Sequence, residues 1–283
     1  MTSLFDVPAP AKLNLFLHIT GRRNDGYHLL QSVFMLIDWC DTLHFELRQQ
    51  GEISREDLTT PLPNEDLVLK AARALQTATG STQGAHISIA KSIPAQAGMG
   101  GGSSDAATTL LALNRLWKLN LTKLQLAQIG LKLGADVPFF IHGDNAWVEG
   151  IGDQMTPIDV PKAHLLVVKP ESGLSTQVIF SDPALKRDSQ NAIISGFAVN
   201  PFGFGRNDLQ AVAQKLNPDV STALSWLEKQ GLQPRMTGSG SAVFAHVSEE
   251  EMSTFVELSD SPKNAIVKLC SNLAVHPLKN WAN

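Results

Sequence analysis

Pro94-Ala95-Gln96-Ala97-Gly98-Met99-Gly100-Gly101-Gly102-Ser103-Ser104-Asp105 is the stretch on which the reading of this 283-residue chain turns. Four of the five residues from Gly98 to Gly102 are glycine, so backbone N–H groups can approach an anion with few side chains in the way. The apolar spacing that follows predicts a helix from about residue 105 to 116. A helix start offers free N–H groups and the positive end of its dipole. Together with the Ser103 and Ser104 hydroxyls, these features predict a phosphate site. A plain connecting turn is the competing reading, but such a turn has no need of so many glycines and a serine pair. Asp105 would repel phosphates, so it reads as an N-cap turned away from them. Neither G-x-x-x-x-G-K-[ST] nor G-x-G-x-x-G occurs, which excludes the usual nucleotide loop and demotes a dinucleotide site. A cation for the transferred phosphate must then come from elsewhere.

Working outward, residues 11–19 alternate and predict a strand, with Leu13, Leu15, Leu17 and Ile19 opposite Lys12, Asn14, Phe16 and His18. Further strands are predicted at 29–38, 42–47 and 85–90, with 49–64 as loop or hairpin. Helices are predicted at 66–78 and 122–133, the latter capped by Thr122 and stopped by Gly134. Residues 139–142 and 146–148 read as a hairpin, which places Asp136 between a helix end and a strand. Beyond 157, strands are predicted at 165–168, 242–247 and 265–269, with helices at 208–215, 221–229 and 250–258. The segment Arg235-Met-Thr-Gly238-Ser-Gly240-Ser reads as a small-residue loop entering a strand.

Composition narrows the function. The chain carries 23 Lys and Arg against 27 Asp and Glu, and a net charge of −4 argues against a nucleic-acid partner. Two cysteines, Cys40 and Cys270, make neither a disulfide framework nor a four-ligand zinc site. No run approaches the ~20 apolar residues of a membrane span. The N-terminus lacks the basic stretch of a signal peptide. The expectation is a cytoplasmic protein with no membrane partner.

Three segments together resemble the GHMP kinase superfamily. Residues 94–104 are similar to its ATP loop and residues 237–241 to its C-terminal glycine-rich motif. Pro10-Ala-Lys12-Leu-Asn14, Thr20-Gly-Arg-Arg23, Asp25-Gly-Tyr27-His28, Gly134-Ala-Asp136-Val-Pro138 and Val178-Ile-Phe180-Ser-Asp-Pro183 are similar to a branch acting on a diphosphocytidyl methylerythritol. The resemblance implies a two-domain α+β fold. A ribosomal-protein-S5-like nucleotide-binding domain would span 1–157 and a ferredoxin-like domain 158–283, with the active site between them. It implies transfer of the γ-phosphate of ATP to the 2-hydroxyl of the substrate, in the non-mevalonate route to isoprenoids. Lys12 and Asp136 would be catalytic. Residues Pro94 to Ser104 would wrap the ATP phosphates, with Lys91 near the adenosine. Asn14, Tyr27, His28 and Phe180 would hold the small-molecule substrate, the aromatics Tyr27 and Phe180 around the cytosine. Neutral His28 and backbone groups would supply the donor and acceptor that choose cytosine over uracil. Mg²⁺ would ride on the phosphates without direct protein ligation, save a touch from Ser103 or Ser104. A monomer or weak homodimer is expected. One departure stands out: Asp66 occupies the place of the family's asparagine near adenine, replacing an amide by an acceptor-only carboxylate. A homoserine or mevalonate kinase is the nearest rival, and Asp25-Gly-Tyr-His28 with Phe180 argues against it. A non-catalytic sensor would be expected to lose Lys12 or Asp136, and both are present.

Overall fold

The computed structural model describes residues 2–254 and 261–283. Its first half is a six-stranded sheet carrying four helices. Strand β1 (Ser3–Arg22) pairs antiparallel with β2 (His28–Arg48), and β3 (Ile53–Asp57) runs parallel to β4 (Gly84–Ala90). With β5 (Ala146–Glu149) and β6 (Gln154–Pro157), the order is β3-β4-β2-β5-β6, and β1 lies on β2. Helices α1 (Leu67–Thr79), α2 (Gly101–Leu116), α3 (Lys123–Leu131) and α4 (Val137–His142) cover one face. The second half holds β7 (His164–Lys169), β8 (Arg235–Met236), β9 (Val243–Val247) and β10 (Ile266–Ser271), antiparallel in the order β10-β7-β9-β8. Its helices are α5 (Thr176–Ser181), α6 (Ile194–Val199), α7 (Gln210–Leu216), α8 (Pro218–Lys229) and α9 (Glu249–Thr254).

Period-two alternation explains how two sheets and two helical layers stack. On β2, Phe34 and Leu36 face the core under α1–α4, while Val33, Met35 and Ile37 face a second core. That second core is shared with Leu165 and Val167 of β7, so it lies between the sheets. Leu166 and Val168 point the other way, into a third core against α7 and α8. The order is helices, sheet, sheet, helices, with both faces of the central strands covered. This is why β1 is buried on both sides from Ala9 to Ile19, although its alternation suggests one wet face. Irregular pairing between Asn14 and Leu17 breaks that alternation and puts Phe16 in the same core as Leu13 and Leu15.

Several expectations need correction. The strands expected at 29–38 and 42–47 are one strand of 21 residues. Residues 49–64 contain β3. The residues expected as the first arm of a hairpin form α4, with Pro138 in its first turn and Gly143 as a left-handed C-cap. Asp136 therefore lies between two helices. Helix α2 starts at Gly101 rather than Asp105, so the glycines and serines are themselves its first turn. Thr122 caps α3 with a capping box as expected, but the helix ends at Leu131, before Gly134. The helix expected to reach 258 is seen to Thr254, and residues 255–258 lie outside the described residues. Among the described residues, no helix is long and apolar enough to cross a membrane.

Candidate active site

The glycine-rich loop is a wall between two cavities. One, of about 450 Å³, is lined by Leu62, Asp66, Leu67, Lys91, Ile93, residues 94–103 and Asp105. The other, of about 530 Å³, is lined among others by Lys12, Asn14, Phe34, Asp136, Thr176, Phe180 and residues 238–240. Gln96, Gly98 and Gly100 border both. The chain builds this wall by locking two loops together. Ser241 N–H donates to Gln96 O at 3.0 Å and Ala242 N–H to Ala97 O at 3.2 Å. Lys12 N–H donates to Met99 O at 2.9 Å. Gly98, at φ 72°, meets residues 237–240 so closely that a Cβ there would lie 2.3 Å from Thr237 O. Gly238, at φ 52°, would bring its own Cβ within 2.6 Å of Gly98 O. These two glycines serve backbone contact between the halves of the chain.

Lys12 and Asp136 meet in the larger cavity. Lys12 Nζ lies 3.7 Å from Asp136 Oδ2, donates to Asn14 Oδ1 at 2.5 Å and sits 4.6 Å from the centre of the Phe34 ring. Burial pulls the Lys12 ammonium below the ordinary lysine value, and the Asp136 charge opposes that pull. Asp136 is the N-cap residue of α4, yet its side chain makes no capping bond and stays one-third exposed to the cavity. Both ends of the Asn14 amide are engaged: Oδ1 accepts from Lys12, and Nδ2 donates to Ser32 Oγ at 2.9 Å. Its first effect is to orient Lys12.

On the smaller cavity's floor, Lys91 is held between two buried aspartates. Its Nζ bonds Asp41 and lies 2.5 Å from Asp105 Oδ2. Asp105 is thus not an N-cap turned outward but a buried partner of Lys91 inside α2. Burial pushes the Asp105 carboxyl up to about 8 against the pull of Lys91. Lys91 borders the cavity, with its ammonium held by Asp41 and Asp105. Asp66, where the family reads asparagine, is held too. It caps α1 by accepting from Leu69 N–H at 3.1 Å, and it pairs with Arg55 at 2.7 Å. Ser103 borders the cavity, whereas Ser104 is fully buried with no partner for Oγ among the described residues.

The structure brings Phe180 to the larger cavity, and His28, outside that cavity's lining, packs against Phe180 with ring centres 5.1 Å apart. Tyr27 is 62% exposed and outside the cavity's lining. Sequence reasoning missed Asp41, Arg55 and Asn207, whose Nδ2 holds Met236 O and Gly238 O at 2.7 and 2.8 Å. It also missed Arg187, which donates to both His28 and the Phe180 carbonyl. None of these stands in a motif; Asp41, Asn207 and Arg187 act on residues far along the chain, and Arg55 on nearby Asp57 and Asp66.

Comparison with known proteins identifies the family. The family model "GHMP kinases N terminal domain" matches residues 66–144, and "GHMP kinases C terminal" matches residues 192–258. A 4-diphosphocytidyl-2-C-methyl-D-erythritol kinase of Albidiferax ferrireducens is 67% identical, covering 100% of this chain and 96% of that one. Its counterpart in Variovorax paradoxus is 62% identical and covers 100% of both. A crystal structure of 4-(cytidine 5'-diphospho)-2C-methyl-D-erythritol kinase superposes with a TM-score of 0.75 at 28% identity, covering 93% of this chain and 98% of that one. A mevalonate kinase at 15% identity and a TM-score of 0.71 shares the fold. The chain belongs to the GHMP kinase family and, within it, to the 4-diphosphocytidyl-2-C-methyl-D-erythritol kinases.

Proposed function

We propose that the chain transfers the γ-phosphate of ATP to the 2-hydroxyl of 4-diphosphocytidyl-2-C-methyl-D-erythritol, in the methylerythritol phosphate route to isoprenoids. The observation that carries this reading is the Lys12–Asp136 pair, set in one cavity directly across a glycine wall from another. Phosphoryl transfer to an alcohol needs alignment, charge neutralisation and a place for the hydroxyl proton. Asp136 accepts or orients that proton, since its carboxylate is free of the helix it precedes. Lys12, steered by Asn14, faces the charge that develops on the transferring group.

The smaller cavity takes ATP. Residues 94–104 hold the phosphates along the α2 start, and Leu62 and Leu67 offer apolar surface to adenine. Lys91 ties strand to helix under the nucleotide, with Asp41 and Asp105. Mg²⁺ supplies charge neutralisation on the phosphates when bound. Ser103, which stands at the cavity, would touch that ion, whereas Ser104 is fully buried outside the cavity's lining. Phe180 and His28 hold the cytosine with Tyr27 as the outer aromatic. The chain divides near residues 157 and 158 into an ATP-binding unit and a unit completing the cleft. It acts in the cytoplasm on a small molecule, as a monomer or weak homodimer, with no nucleic-acid partner.

A coupled ADP-release assay tests the reading. The diphosphocytidyl substrate should be turned over far faster than mevalonate or homoserine. Comparable rates for all three would reduce the assignment to a kinase of unknown acceptor.

A further inference from the structure

We propose that Arg187 is a positioning residue that locks His28 into the tautomer protonated on Nδ1, and so makes the pocket choose cytosine over uracil. The inference rests on the reading above that His28 faces the base. It starts from one contact: Arg187 Nε donates to His28 Nε2 at 3.0 Å. A guanidinium carries donors and no acceptor. Nε2 must therefore present a lone pair, and the proton of a neutral ring must sit on Nδ1. Free histidine favours the opposite tautomer, so the protein is selecting the minor form.

The surroundings keep the ring neutral and the guanidinium fixed. Partial burial disfavours the charged imidazolium, and Arg187 and Arg22 add like-charge repulsion. Arg187 is anchored three more times, by the carbonyls of Leu185 at 3.0 Å, Phe180 at 3.1 Å and Asp182 at 2.9 Å. One side chain thus ties the His28 ring to the backbone that carries Phe180, whose ring lies 5.1 Å from it. Among the described residues, no group hydrogen-bonds Nδ1, which leaves its N–H free for a ligand.

The consequence for specificity follows from the bases. Cytosine presents an acceptor at N3, whereas uracil presents an N–H donor there. An Nδ1–H donor pairs with the first and faces a donor on the second. The other tautomer would present an acceptor and reverse the preference at that atom. A buried polar group left unpaired is what gives such sites their discrimination.

The test reads the tautomer and its consequence separately, on the full chain. With ¹⁵N-labelled histidine, and His28 assigned by the loss of its signals in His28→Gln, the parent should show a protonated Nδ1 and an unprotonated Nε2. A protonated Nε2 in the parent would overturn the proposal with no variant needed. In Arg187→Met the ring should move toward the Nε2–H form. The ratio of cytidyl to uridyl kcat/KM should then drop at least about tenfold, the scale of one hydrogen bond. That loss should lie mainly in the KM for the cytidyl substrate, with the KM for ATP unchanged. An unchanged tautomer or an unchanged ratio in Arg187→Met would contradict the proposal. His28→Ala separates this from the underlying reading. If the cytosine preference survives in His28→Ala, His28 does not read the base, and both fall. If it vanishes there but persists in Arg187→Met, only the role of Arg187 fails.

Discussion

The two cavities flanking the glycine loop are built in opposite ways. Every residue lining the smaller one falls between Leu62 and Asp105, within one continuous segment. The larger one draws on β1, β2, the glycine loop, the start of α4, α5 and the loop before β9, from Lys12 to Gly240. The first can be shaped by local chain geometry, and the second exists only once both halves of the chain have met. A local site tolerates change one residue at a time. An assembled site fails when the contacts that join its walls fail. The chemistry, on this account, belongs to the assembled side.

Breaking the acceptor side should give the largest effect. Asp136→Asn and Lys12→Ala should each lower kcat by about 10²–10⁴-fold, the range for a positioned proton acceptor or its partner. ATP affinity, measured by calorimetry, should stay within a factor of a few, because neither residue lines the smaller cavity. A matching loss of ATP affinity would mean that the two cavities are not separable.

Gly98→Ala attacks the shared wall. Its added Cβ has nowhere to go against Thr237 O. Overpacking of this kind costs about 1–3 kcal/mol. Thermal stability, ATP affinity and turnover should fall together, in contrast to the selective loss in Asp136→Asn. An ATP affinity equal to the parent's would show that the wall is not a common support.

Asn14→Ala should be milder and confined to one side. It removes a hydrogen bond to a charged group, worth about 1.5–3 kcal/mol, or about 10- to 100-fold in kcat. Steady-state kinetics should show the loss in kcat with little change in either KM. A loss confined to KM would make Asn14 a substrate ligand instead of the residue that steers Lys12.

The smallest effect is expected under the nucleotide floor, as a pH dependence. Asp105 titrates near 8 in the folded protein against an ordinary value of 3.8. Between those values the native state holds a proton that the unfolded chain has released. Stability should therefore fall as pH rises through that window and level off above it. Asp105→Asn removes the titration, so its melting temperature should vary less than the parent's from about pH 5 to 8. Parallel melting curves for the two proteins across that range would contradict the buried, protonated Asp105.

The same contrast explains what could be read from the sequence. The glycine loop is legible because the features that suggest a phosphate site are local: glycines, serines and a helix start lie side by side. Lys12 and Asp136 drew attention only through their surrounding motifs. Nothing in the sequence alone says that residues 124 positions apart meet at 3.7 Å. Helix α4 reads as a strand in the sequence because Phe139-Phe140-Ile141 is a short apolar run without a readable period. Pro138 and Gly143 were the overlooked helix signals. The long β2 reads as two strands in the sequence because Asp38 and Asp41, poor strand residues, interrupt the apolar pattern. In the structure Asp41 is buried, with the N–H groups of Ser92 and Ile93 and the Lys91 ammonium satisfying it. Arg187 and His28, 159 residues apart, carry no sequence signal of their contact at all.

Two cavities that meet at one loop let the proposed transfer run directly from ATP to the acceptor, with both bound at once and no residue phosphorylated on the way. Initial rates with ATP and the diphosphocytidyl acceptor varied together test it most directly. The account predicts intersecting double-reciprocal lines and no stoichiometric ADP burst from ATP alone. Parallel lines, with one ADP per enzyme released before acceptor is added, would mean that a group such as Asp136 is itself phosphorylated, and would contradict it.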